Sequence, residues 1–175
     1  DKNDLKETAE TLALFHNAAE GFSDDRMRVT CGSVDDFFGR RTGEFSRIRK
    51  RIKSFGDYTP VDLMVIKYFD YYTDRIKMAS ELLVKSDYTG AVINAAQRRH
   101  VCHNAFKNDN VRKSETGNII VSGLDGCTCD VSITDVAHLI RRYIKSEAAD
   151  ESGISAILES YGKTRSISAD ELGII

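Results

Sequence analysis

Six consecutive residues, Arg98 to His103 (Arg-Arg-His-Val-Cys-His), bring together two guanidinium groups, two imidazoles and a thiol. A guanidinium neutralises phosphate through a planar fork of donors, and an imidazole that titrates near neutrality moves protons. The cluster thus offers acid–base chemistry, metal binding or polyanion binding, with no catalytic residue favoured by type alone. Thiolate and imidazole are also the ligands zinc prefers, so His100, His103, Cys127 and Cys129 form a candidate metal set. Its spacing departs from the common zinc patterns, with one residue between the two cysteines and two between the two histidines. Cys102 lies on an apolar seam, where a thiol packs as a small hydrophobe. No Walker, dinucleotide or EF-hand loop occurs, and no cofactor is expected.

A third pattern is electrostatic. Arg40, Arg41, Arg47, Arg49, Lys50, Arg51 and Lys53 crowd into fourteen residues with Glu44 as the one acid among them. Joined by Arg98, Arg99, Lys107, Arg112 and Lys113, they could present a positive surface to nucleic-acid phosphates or anionic lipid head groups. The whole chain carries a net charge of −2, so any such field is local.

The elements that must position these groups read mostly as helices. Leu5, Ala9, Leu12, Phe15 and Ala19 mark an amphipathic helix over residues 4–20. A second begins at Ser33 and places Val34, Phe38, Phe45, Ile48 and Ile52 on one face, with Gly39 and Gly43 weakening it. Thr59 as N-cap and Pro60 at the first helical position start a long third helix reaching Ser86. Its first half is apolar almost all round, which predicts a central helix covered by neighbours. After the turn Asp87–Gly90, a fourth helix carries Tyr88, Val92, Ala95, Cys102 and Phe106 and ends near Lys107. Residues 108–130 lose periodicity and contain one candidate strand at 118–122. A further helix follows at Ile133–Ile144, a short one at 154–161 and a turn at 168–172.

The length of 175 residues and ordinary 41% hydrophobic and 30% charged content suit a globular domain with a sizeable core. One proline and no tryptophan favour helices over a turn-rich sandwich. No run of 18 apolar residues exists, so no membrane span is expected. The polar start DKNDLKE lacks the apolar stretch of a signal peptide, although a signal already removed would leave no trace. Four cysteines in a chain this long read as reduced thiols in a cytoplasmic setting, or at the intracellular face of a membrane.

Two family resemblances rest on the 98–103 region. Arg98-x4-His103, with the upstream run ASELLVKSDYTGAVINAA, resembles the signature of HEPN-family ribonucleases. That likeness implies an all-helical RNA-cleaving domain in which Arg98 and His103 are catalytic. Gln97, Arg98, Arg99, Asn104 and Ala105 in QRRHVCHNAFKNDN resemble the arginine-rich helix and loop of orthomyxovirus matrix proteins. That likeness implies an all-helical layer-forming protein that binds ribonucleoprotein and anionic lipid.

The expectation is thus an all-α bundle of four to five main helices with a small C-terminal helical unit. Residues 1–107 form the bundle, 108–130 a mobile linker and 131–175 the small unit. The expected role is non-enzymatic binding or assembly: basic helix surfaces contact nucleic acid or anionic membrane, and apolar faces contact protein partners or a second copy. The alternatives are a ribonuclease using Arg98 and His103, and a metal-stabilised adaptor using His100, His103, Cys127 and Cys129.

Overall fold

Helix α1 (Lys2–Ala19) forms where apolar side chains recur every three or four residues, and it buries Ala9, Leu12, Ala13 and His16. Strand β1 (Arg28–Val29) follows, then helices α2 (Ser33–Phe55) and α3 (Pro60–Lys85). Next come helix α4 (Tyr88–Arg98), strands β2 (Val101–Cys102), β3 (Val111–Lys113) and β4 (Ile119–Val121), and a 3-10 turn at Leu124–Gly126. Strand β5 (Thr128–Cys129) and helices α5 (Ile133–Ile144), α6 (Glu151–Thr164) and α7 (Ala169–Leu172) complete the order. This computed structural model describes residues 2–107, 109–147 and 149–175, with the backbone alone at Asp35; Asp1, Asn108 and Ala148 lie outside the described residues.

The chain divides into two compact units, one of Asp1–Cys31 with Asp87–Ile175 and one of Gly32–Ser86. These limits differ from the boundaries expected at 107 and 130. In the first unit α1 packs against α6 and α5. Leu12, Ile133, Val136, Ile157 and Tyr161 are almost fully buried there, each aliphatic side chain contributing roughly 1.5–3 kcal/mol of burial.

The all-α expectation is corrected by two small sheets. In the first, β5 is central, parallel to β1 and antiparallel to β2, with Cys129 opposite both Val29 and Val101. In the second, β3 and β4 form an antiparallel hairpin with Val111 opposite Val121. The fourth helix stops at Arg98 because Arg99 turns left-handed at φ 54° and its N–H reaches back to the Ala95 carbonyl. Val101 and Cys102 then run as a buried strand. The apolar seam expected to continue to Phe106 is therefore part helix, part strand and part loop.

In the second unit Thr59 caps α3 as its sequence predicts: its hydroxyl accepts the Asp62 N–H and the Asp62 carboxylate accepts the Thr59 N–H at 2.9 Å. Phe45 of α2 stacks on Phe69 of α3 with centroids 4.9 Å apart. The expectation of a covered central helix is corrected here. α3 buries Phe69 and Leu83, while Val61, Leu63, Met64, Tyr71, Tyr72 and Val84 are exposed. Among the described residues no helix is long and apolar enough to cross a membrane.

Candidate active site

Polar order in the first unit converges on the segment leaving β2. Asp135, in the first turn of α5, is buried to 1% exposure, yet each of its oxygens has a donor. Oδ2 accepts the His103 N–H at 2.6 Å and Oδ1 accepts the Asn104 N–H at 2.9 Å. Oδ2 also faces His16 Nε2 at 3.2 Å, and the other His16 nitrogen lies 2.8 Å from the Tyr161 hydroxyl. With Nε2–H donating to Asp135, the Tyr161 hydroxyl donates to Nδ1. Burial pushes the Tyr161 hydroxyl up from its ordinary pKa, which keeps it a donor.

The loop that begins at His103 is thereby fixed at its start, and further bonds come from the side chains of His103, Asn104 and Asn110. His103 is fully buried; Nε2–H donates to the Ser122 carbonyl at 2.9 Å and Nδ1 accepts the Ala105 N–H at 3.2 Å. Asn104 holds φ at 60°, and its amide donates to the Gly126 carbonyl and the Thr128 hydroxyl, both at 2.9 Å. Asn110 closes the loop by donating its amide to the Ala105 carbonyl at 2.9 Å. Its backbone carbonyl accepts the Ser122 N–H at 2.8 Å. Gly123 follows at φ 75° directly against the Asn110 side chain, and a Cβ there would lie 2.8 Å from Oδ1. The two ends of the β3–β4 hairpin are thus locked together beside the loop.

The residues singled out by type are dispersed. The seven bases Arg40, Arg41, Arg47, Arg49, Lys50, Arg51 and Lys53 stand on α2. There Arg41 pairs with Glu44 at 2.7 Å and Arg49 with Asp70 at 3.0 Å while lying 4.2 Å over the Phe69 ring. Arg51 sits over Phe55. Arg98 pairs with Glu20 at 2.5 Å, Arg99 is the exposed helix cap, and Lys113 pairs with Glu7 at 2.8 Å. Arg165 joins Glu20 at 2.8 Å, and that hydrogen bond, more than any other influence, holds the Glu20 carboxyl below the ordinary range.

His100 is 4% exposed; its Nε2 accepts from Arg165 at 3.2 Å and its buried Nδ1 has no partner. Burial, reinforced by Arg165, lowers the His100 pKa. Cys31, Cys102, Cys127 and Cys129 are free thiols. Burial raises the pKa of Cys102 and Cys127, and that of Cys31 to about 12, so none of these three is an activated thiolate. Among the described residues no group of three or more His, Cys, Asp or Glu side chains is placed to hold a metal ion.

The chain is similar to a solved structure, an aminoglycoside phosphotransferase from Alicyclobacillus acidocaldarius subsp. acidocaldarius DSM 446. The TM-score is 0.83 at 18% identity, over 99% of this chain and 51% of that one. The two share a fold over that span. This chain spans about half the length of the phosphotransferase chain. No family model matches the sequence, and no curated protein is significantly similar to it.

That fold overturns the orthomyxovirus matrix resemblance, and with it the non-enzymatic binding and assembly role. Gln97 and Arg98 end a helix and Asn104 and Ala105 lie in a braced loop, so the matched residues do not share one basic helix. The HEPN reading fails for the same reason: Arg98 and His103 stand on either side of the Arg99 break, and both His103 nitrogens are taken by backbone. The metal-stabilised adaptor falls with the binding role, and its His100 and His103 are buried. Asp135, Asn110 and Gly123 escaped sequence reasoning, and Asn104 entered it only through the matrix-protein resemblance. Their one signal was an asparagine seven residues after a histidine, with alanine rather than a carboxylate two residues after that histidine.

Proposed function

We propose that the chain is the loop-bearing part of a kinase-like phosphotransferase, passing the terminal phosphoryl group of a nucleoside triphosphate to a hydroxyl of a small molecule. The observation that carries this reading is the loop 103–110, braced by Asp135 and closed by Asn110 on the Ala105 carbonyl, within a fold similar to that of a phosphotransferase. Kinase catalytic loops follow His-x-Asp-x4-Asn, then a hairpin, then Asp-Phe-Gly. Here His103 and Asn110 keep that spacing, β3 and β4 supply the hairpin, and Gly123-Leu124-Asp125 occupies the following segment. Ala105 stands where the loop carboxylate would be.

Such transfer depends mainly on position and charge, because the transition state is loose and the protein makes no covalent intermediate. The acceptor oxygen bonds to the terminal phosphorus as the bond to the bridging oxygen breaks, and the nucleoside diphosphate leaves. With Ala at 105 the hydroxyl proton passes to water rather than to a side chain. The loop supplies fixed donors and a fixed angle of approach. A nucleotide-using enzyme with four reduced thiols belongs in the cytoplasm.

The test is acceptor-dependent release of ADP from ATP by the purified protein. Aminoglycosides, the substrates named for the similar structure, come first and other amino and hydroxyl compounds follow. Release that depends on acceptor and falls at least about tenfold in Asn110→Ala supports the reading. ATP that neither binds nor turns over with any acceptor overturns it.

A further inference from the structure

Kinase phosphoryl transfer ordinarily draws on magnesium held by the Asp of Asp-Phe-Gly and the Asn of the catalytic loop. The residues of this chain do not fit that ion. Position 123 is glycine, and the Asn110 carboxamide occupies the space where a side chain would begin, with Oδ1 at 2.8 Å and Nδ2 at 2.9 Å from a Cβ built there. The Asn110 Nδ2 donates to the Ala105 carbonyl at 2.9 Å, which leaves Oδ1 as the one side-chain oxygen that positions 105, 110 and 123 offer a cation. Position 105 offers a methyl group.

The remaining carboxylates nearby do not replace them. Asp109 pairs with Lys107 at 3.0 Å. The Asp130 oxygens accept the Thr30 hydroxyl at 2.6 Å and the Val131 N–H at 2.8 Å. Asp135 is buried and engaged by His103, Asn104 and His16. Asp125 is exposed on its turn, a single carboxylate where a hard divalent cation needs several oxygens.

We propose that this site takes the phosphates of a nucleotide without a divalent cation. The proposal rests on the reading of 103–110 as a catalytic loop. Ala105 and Gly123 remove two carboxylates, leaving Asp109, paired with Lys107, and Asp125 on its turn. Arg112, exposed on the strand after the loop, is a cation at hand. A triphosphate stripped of magnesium carries more negative charge, and the loss of the two carboxylates lessens the repulsion it meets.

The experiment is calorimetric titration of ATP into the purified protein in excess magnesium and, separately, in excess EDTA. The expected result is the same dissociation constant in both, within about twofold. Affinity at least tenfold tighter with magnesium overturns the proposal while leaving the phosphotransferase reading in place. Absence of binding in both buffers overturns that reading and this proposal with it. A Gly123→Asp variant supplies the second arm. Aspartate tolerates a left-handed backbone better than most residues, and the Asn110 side chain can rotate away. The variant, checked for a native unfolding midpoint, is expected to gain magnesium-dependent ATP affinity; a folded variant that binds alike in both buffers counts against the missing carboxylate as the cause.

Discussion

Asp135 joins three segments through one carboxylate: the loop backbone at His103 and Asn104, the α1 side chain His16 and, through His16, Tyr161 of α6. Removing it leaves buried donors unsatisfied, each costing about 1–3 kcal/mol. Asp135→Ala is expected to lower unfolding free energy by about 3 kcal/mol or more in a denaturant titration. Tyr161→Phe, which removes only the outermost donor, costs about 1 kcal/mol. A variant pair with equal effects would contradict the ordering of this chain.

His100 gives a pH dependence. Its folded pKa is lowered by burial and by Arg165, whereas the unfolded chain takes up a proton at about pH 6.5. Between those two values the unfolded state binds more protons, so stability rises with pH through that window and is lost on acidification. Glu20 and Glu171 oppose the shift and Arg98 reinforces it. His100→Gln is expected to flatten the slope of unfolding free energy below about pH 6.5. An unchanged slope assigns the dependence to another group.

At the scale of elements, the start of α3 was legible and the end of α4 was not. Thr59, Pro60 and Asp62 announce α3 because each answers a specific orphan donor or backbone angle of a first turn. The end of α4 carries no such mark: Arg99 adopts the left-handed cap that glycine usually supplies, so Cys102 and Phe106 looked like the next helical turns. Two-residue strands such as β2 and β5 are too short for an alternating pattern to show.

The packing of α5 on α6 gives an element-level test. Gly153 of α6 lies directly under the Tyr143 ring and hydroxyl, and that hydroxyl bonds Asp150 at 2.9 Å. Gly153→Ala should push Tyr143 aside and cost about 1–3 kcal/mol, even though alanine is the better helix former. A neutral or stabilising effect would show that Tyr143 yields freely. The Asp150 carboxyl, held well below its usual range chiefly by Lys2, loses its partners only in strong acid.

For the whole molecule, composition and periodicity located most helices but not the fold. The six residues 98–103 attracted attention by type, yet Cys102, His100 and His103 are there because the interior needs them. The proposed functional face is instead made from an alanine, two asparagines and a glycine, residue types that carry no catalytic signature. Their significance comes from a carboxylate 25 residues beyond Asn110, a separation that only folding closes.

The central claim is that the loop 103–110, closed by Asn110, holds nucleotide phosphates. Calorimetric titration of ATP into the wild type and into Asn110→Ala tests it most directly. Saturable binding by the wild type, weakened at least about tenfold in a variant that stays folded, is the predicted result. No saturable binding by the wild type, or equal affinity in the two proteins, would contradict it.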